Sequence, residues 1–207
     1  EKPVPVAELV RKRNEVRVQA PGHLVWKDSK DGEVLYKRQS LLTSAESRAE
    51  IAFLDGTGLE VGENSLIQIE RRADGQGDER IVVTLLRGTL QKSRPRRKTD
   101  SPVPSFEIKV GNAVAKIQPE AELTVTAGIE AAAAPRLEVQ KGEIQVQTPG
   151  GQTRVRAGDQ ATVSHEAASA LPPTARKEAF GLLSPHPGET FSTTEGSELK
   201  VRFQWSV

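Results

Sequence analysis

The stretch Glu50-Ile51-Ala52-Phe53-Leu54-Asp55-Gly56-Thr57-Gly58-Leu59-Glu60-Val61 sets the reading of the chain. Ile51 and Phe53 alternate with Glu50 and Ala52, and Leu59 and Val61 flank Glu60. Side chains two residues apart share a face of a β-strand, so each run places an apolar row on one side and leaves the other to solvent. Asp55-Gly56 between them suits the positive φ angles of a tight hairpin turn. The segment predicts a half-buried strand, a turn and a second strand.

The same period continues outward. Ile67 and Ile69 alternate with Gln68 and Glu70, and a polar stretch from Arg72 to Arg80 around Asp74-Gly75 reads as an exposed loop. Ile81 to Leu86 is apolar except for Thr84, short and β-branched, which predicts a strand buried on both faces. Further strands are expected around Phe106, Ile108 and Val110, around Val114 and Ile117, and then at Leu123/Val125, Leu137/Val139 and Ile144/Val146. The expected inward set is Ile51, Phe53, Ile67, Ile69, Val83, Leu85, Leu123, Val125, Val139, Ile144 and Val146. Gly142, Gly150-Gly151 and Gly158 mark turns.

Helix signals are few. Val6, Leu9 and Val10 stand at helical spacing within Pro5 to Asn14, and Thr174 to Leu183 has room for a turn or two. Glu130 to Ala134 has high helix propensity but meets Pro135. The fold class expected is therefore all-β. Between residues 91 and 105 proline, serine and basic residues cluster and divide the strand-rich region into two halves. Each half carries a similar phrase, Leu85-Leu86-Arg87-Gly88-Thr89-Leu90 and Val139-Gln140-Lys141-Gly142-Glu143-Ile144. From about Ala167 the pattern changes: Leu171-Pro172-Pro173 and Ser184-Pro185-His186-Pro187-Gly188 read as linkers, and Leu199 to Val207 alternates cleanly as a strand.

The chain has 207 residues, enough for one large domain or one domain and part of another. Its 29 basic and 28 acidic residues leave a formal net charge of +1, so no global charge draws it to nucleic acid or membrane. Without cysteine it has no disulfide, thiolate metal site or cysteine nucleophile. It begins at Glu1 and contains no methionine, which leads us to expect a processed or longer gene product, with an upstream signal peptide or anchor compatible with that. No run of apolar residues is long enough for a membrane helix.

Few residues invite chemistry. His23, His165 and His186 lie far apart, and no Walker sequence, H-E-x-x-H or G-x-S-x-G occurs. Gly56-Thr57-Gly58 and Gly75-Gln76-Gly77 do not stand between a strand and a helix, where a phosphate cradle would be, and are read as turns. Asp28, Asp31 and Glu33 lack the ligand order of a calcium loop and read as a hydrated hairpin. No catalytic residue, metal or cofactor is expected. The densest charge feature comprises Arg87, Lys92, Arg94, Arg96, Arg97 and Lys98, relieved by Asp100. It is either a linker kept soluble by charge or, at Arg94, Arg96, Arg97 and Lys98, a set of guanidinium and ammonium groups for an anionic envelope polymer or an acidic protein. Aromatics are only 4% of residues, too few to stack the bases of nucleic acid. Trp26 and Tyr36 flank the polar hairpin Lys27 to Leu35, either as core or, if exposed, as a carbohydrate-stacking platform.

From Val16 to Val163 the order of motifs resembles the FecR-like domain of bacterial envelope proteins. Gly22-His23-Leu24-Val25-Trp26 looks like its early strand. Leu41-Leu42-Thr43-Ser44 followed by Arg48 to Thr57 is similar to its most characteristic phrase. Glu63-Asn64-Ser65-Leu66-Ile67-Gln68-Ile69, Leu85 to Leu90 and Val155 to Ala161 match later turns and strands. The resemblance implies a twisted β-solenoid or sandwich-like body outside the cytoplasm, periplasmic or at the cell surface. The expected division is an N-terminal extension 1–15, a FecR-like domain 16–166 and a tail 167–207 that resembles the start of an immunoglobulin- or fibronectin-like sandwich. These are turn and core motifs, so they speak for architecture before activity. The function expected is a non-catalytic binding or scaffolding module. The alternative is the sensor domain of a transmembrane regulator that couples an outer-membrane transporter to a sigma factor.

Overall fold

The expected alternation appears directly as burial in the computed structural model: Arg48 to Phe53 reads exposed, buried, half-buried, buried, half-buried, buried. The structure describes residues 4–54, 56–73, 79–93, 105–128 and 134–163 in full, and the backbone of 168–171, 181–184 and 204–206. In chain order the strands are β1 (Pro5–Arg13), β2 (Val16–Gln19), β3 (Lys27–Asp28), β4 (Glu33–Tyr36), β5 (Ser40–Thr43), β6 (Arg48–Phe53), β7 (Gly58–Val61), β8 (Leu66–Ala73) and β9 (Glu79–Ser93). There follow β10 (Ser105–Val110), β11 (Ala113–Ile117), β12 (Glu122–Ala127), β13 (Arg136–Lys141), β14 (Glu143–Thr148), β15 (Gly151–Arg156), β16 (Gln160–Val163) and β17 (Ala168–Leu171). No helix occurs among the described residues.

Pairing sorts these strands into two layers. One runs β4-β1-β6-β7-β9-β12-β13-β16-β17. The other runs β3-β2-β5-β8-β9-β10-β11-β14-β15. Strand β9 belongs to both: residues 79–87 pair with β8 and residues 80–85 with β10, while residues 88–93 pair with β7 and β12. The inner faces enclose one continuous apolar cluster that reaches from Val6 to Val163. All eleven expected inward residues are buried in it. Phe53 of the first layer meets Phe106 of the second edge-to-face, with ring centroids 5.2 Å apart, a favoured aromatic geometry. The body is thus a two-layer, sandwich-like all-β structure.

The family-like motifs at Leu41 to Ser44, Glu63 to Ile69, Leu85 to Leu90 and Val155 to Ala161 lie where the chain changes layers. Thr43 donates from Oγ1 to the Gly62 carbonyl (2.6 Å) and accepts from the Ser65 amide (2.9 Å); Ser65 Oγ in turn accepts from the Thr89 amide (2.9 Å). Gly88 sits here with φ +94°, and a Cβ on it would fall 2.5 Å from Ser65 Cα. A second set of corners forms where β11 leads to β12 and β13 to β14. Gly142 (φ +79°) packs there against Ala121 Cα, 3.0 Å from where its own Cβ would be, and its carbonyl accepts from the Ala157 amide (2.9 Å). The two similar phrases of the halves therefore place their glycines at the same kind of corner.

Several expectations change. Pro5 to Asn14 is strand, not helix: register shifts between Pro5 and Ala7 and between Leu9 and Arg11 displace the alternation by one residue, which leaves apolar residues at helical spacing. Because β1 pairs with both β4 and β6, residues 5–13 are integral to the sandwich and not an extension from it. The stretch 81–86 is not buried throughout. Ile81, Val83 and Leu85 point inward and Val82 is covered, but Leu86, at a register shift opposite Leu66 and Ile67, is 58% exposed. Lys27 to Leu35 is not a hairpin, since β3 pairs with β2 and β4 with β1 in different layers. Residues 1–172 and 173–207 form two compact units. In the second, β18 (Gly181–Ser184) pairs antiparallel with β19 (Gln204–Ser206); Glu130 to Ala133, Thr174 to Phe180 and the rest of the expected strand Leu199 to Val207 lie outside the described residues.

Candidate functional site

The basic stretch places only its borders. Strand β9 ends at Ser93 and β10 begins at Ser105, and Arg94, Arg96, Arg97 and Lys98 lie outside the described residues. Lys92, however, does not belong to an exposed cluster. Its side chain points inward between Leu59 and Leu123, is 1% exposed, and its ammonium donates to the carbonyls of Pro119 and Ala121 (both 2.8 Å) and Gln118 (3.5 Å). The corner between β11 and β12 turns three carbonyls inward there, and a buried carbonyl without a donor costs about 1–3 kcal/mol. Lys92 is a structural pin. The signal was present in the sequence, because Lys92 stands two residues after the inward Leu90.

Trp26 and Tyr36 are both half-buried, one just ahead of β3 and the other at the end of β4, in different layers. The aromatic contact among the described residues is instead Phe53 with Phe106. The carboxylates of Asp28, Asp31 and Glu33 are used locally. Asp31 Oδ1 accepts from the Lys12 amide (2.7 Å), Glu33 from the Lys30 amide (2.9 Å), and Asp28 faces Arg17 at 3.4 Å. Among the described residues no group of three or more potential ligands is placed to hold a metal. His23 is exposed on the loop between β2 and β3; His165 and His186 lie outside the described residues.

What remains is surface. A groove of about 520 Å³ on the outer side of the first layer is lined by Arg48, Glu60, Gln91 and Thr124 with corner residues such as Glu46 and Glu63. Arg48 pairs with Glu60 (3.0 Å), and Glu63 accepts from the Glu46 amide (2.7 Å). A second groove of about 420 Å³ crosses the outer side of the other layer over β8, β9, β10 and β11. It is bordered by Arg80 and Glu107, 3.4 Å apart, and by Arg72 beside Glu70. Both are open and polar, with some of their charges paired and others, such as Lys109, not paired among the described residues, a chemistry suited to recognition by hydrogen bonds and charge. No helix among the described residues is long and apolar enough to cross a membrane.

Comparison with known proteins matches these features to one family. The chain is 26% identical over 129 residues to an uncharacterised protein of Treponema pallidum (strain Nichols), which covers 62% of this chain and 18% of that protein. Two crystal structures of a candidate anti-sigma factor from Parabacteroides distasonis ATCC 8503 share the fold, with TM-scores of 0.52 and 0.51 at 15% and 16% identity. Each covers 67% of this chain and 61% of the solved one, so this chain spans about three fifths of those proteins and about a fifth of the Treponema one. The family model for the FecR protein matches residues 39–145, from the approach to β5 through both sets of corners and all of β9 into β14, and the chain belongs to the FecR family.

Proposed function

We propose that this chain is the extracytoplasmic, protein-binding part of a FecR-type regulator, which relays the state of an outer-membrane transporter to a sigma factor. The observation that carries this reading is the family match over residues 39–145, which takes in the strand that joins the two layers. Similarity in fold to a candidate anti-sigma factor supports it. The role is non-catalytic: the sandwich offers a rigid body with polar outer faces, and a relay of this kind needs docking surfaces, not a reaction centre. The basic stretch Arg94, Arg96, Arg97 and Lys98 is the part of the chain best suited to an acidic partner surface, and such contact is weakened by salt because exposed charges are screened over ~8 Å at physiological ionic strength.

A scaffolding role in a multidomain envelope protein is the second reading, favoured by the separate unit of residues 173–207 with its own strand pair. One experiment separates the two. The gene in its host is altered to remove residues 5–163, and transcripts that depend on each sigma factor are measured with and without the transporter's substrate. A regulator loses or locks the response of one sigma-dependent set. If every such set responds as in the parent, the relay reading fails and the scaffold stands.

A further inference from the structure

Strand register places side chains of the second layer's outer face in straight lines across the sheet. One line runs Gln68, Thr84, Lys109, Val114, Gln147, Gln152, each directly opposite the next on β8, β9, β10, β11, β14 and β15. At about 4.8 Å between strands it is about 24 Å long. Its first four members line the 420 Å³ groove, and Gln147 and Gln152 continue it in the open. No carboxylate stands in it. In the neighbouring line, Glu70, Val82, Glu107, Lys116, Gln145, Arg154, both acids are engaged, Glu70 by Arg72 and Glu107 by Arg80. Lys109 and Lys116 have no ion pair among the described residues. Gln152 donates to Gln145 (2.9 Å), and Glu143 faces Arg154 and Arg156.

The opposite layer supplies an internal contrast. Its corresponding line, Glu50, Glu60, Gln91, Thr124, Glu138, Gln160, carries three carboxylates, of which Glu60 is paired with Arg48. Arg11 stands opposite Glu50 at the end of that line, and Arg13 and Arg48 line the groove beside Glu60, so acids and bases are mixed there, whereas the line from Gln68 to Gln152 carries no carboxylate.

We propose that the outer face of the second layer binds a linear, hydroxyl-rich polysaccharide that bears anionic groups, laid across the strands along the line from Gln68 to Gln152. A pyranose chain advances per sugar by close to one strand spacing, so successive residues meet successive side chains. Amides at Gln68, Gln147 and Gln152 and the Thr84 hydroxyl exchange hydrogen bonds with sugar hydroxyls, and Lys109 and Lys116 attract the anionic groups. This surface is made of residues other than Arg94 to Lys98 and does not rest on the regulator reading.

The test is binding of the whole chain to immobilised polygalacturonate at low salt, with dextran as the uncharged polysaccharide and polyglutamate as the polyanion without hydroxyls. The wild type binds polygalacturonate more tightly than either. Lys109→Glu with Lys116→Glu weakens this by about tenfold or more, about 1.4 kcal/mol or more. Gln147→Ala with Gln152→Ala weakens polygalacturonate but leaves polyglutamate unchanged, and Thr124→Glu on the other layer changes neither. All variants are compared at matched melting temperature. Absence of polygalacturonate binding, equal binding of polyglutamate, or indifference to the paired lysine reversal each overturns the proposal.

Discussion

Gly88 shows at the scale of one residue why a family phrase is a structural requirement. Its φ of +94° is open to glycine alone at little cost, and a Cβ would lie 2.1 Å from Ser65 Oγ and 2.5 Å from Ser65 Cα, within the backbone of the next corner. Gly88→Ala is expected to cost about 2–4 kcal/mol in urea unfolding from strain and overlap together. Gly22→Ala, with φ +76° but nothing within 4 Å, is expected to cost about 1 kcal/mol from strain alone. Equal losses at the two sites would refute the packed corner. Lys92→Met keeps the length of the side chain but removes the donor to three carbonyls, and is expected to destabilise by about 2–4 kcal/mol. A variant as stable as wild type would show that the corner at residues 118–121 satisfies itself. In the sequence, Gly88 was legible as the glycine of a phrase that both halves share; its partner Ser65, 23 residues earlier, was not, because a residue's type does not say which distant corner it meets.

At the scale of the element, period-2 alternation identified faces reliably and neighbours not at all. Every residue expected inward is buried, since alternation states which side of a strand is apolar. It does not state which strand lies alongside, and so the assignment of β3 and β4 to different layers and the double membership of β9 were invisible. Strand β1 failed for a local reason, its two register shifts. It nevertheless contributes Val6, Ala7 and Leu9 to the core and closes hydrogen bonds on both edges. Removal of residues 1–14 is therefore expected to lower the melting temperature sharply or yield insoluble protein. A truncated chain that melts like the full one would return β1 to the status of an appendage. Truncation of Phe53 to Ala, which empties the contact with Phe106, is expected to cost about 3–5 kcal/mol in denaturant titration. A loss below about 1 kcal/mol would mean the two layers can close over the gap.

For the whole molecule, the same asymmetry holds. The fold class and most core positions could be read from residues, because burial imposes a pattern on composition. The candidate surface could not. The line from Gln68 to Gln152 is assembled from β8, β9, β10, β11, β14 and β15 by register alone, and its members look unremarkable in sequence. Holding such a line straight demands that the halves before and after residues 94–104 form one body, and β9 is the element that joins them in both layers. Amide hydrogen exchange of the intact chain, followed by peptide across a denaturant series, measures this most directly. If β9 unites the sandwich, amides of residues 81–92, of β6 and β8 before it and of β11 and β13 after it, converge on one opening free energy, that of global unfolding. If peptides from 105–163 open at a distinctly lower free energy than those from 48–73, the halves are separate folding units and the account of a single spanning strand is wrong.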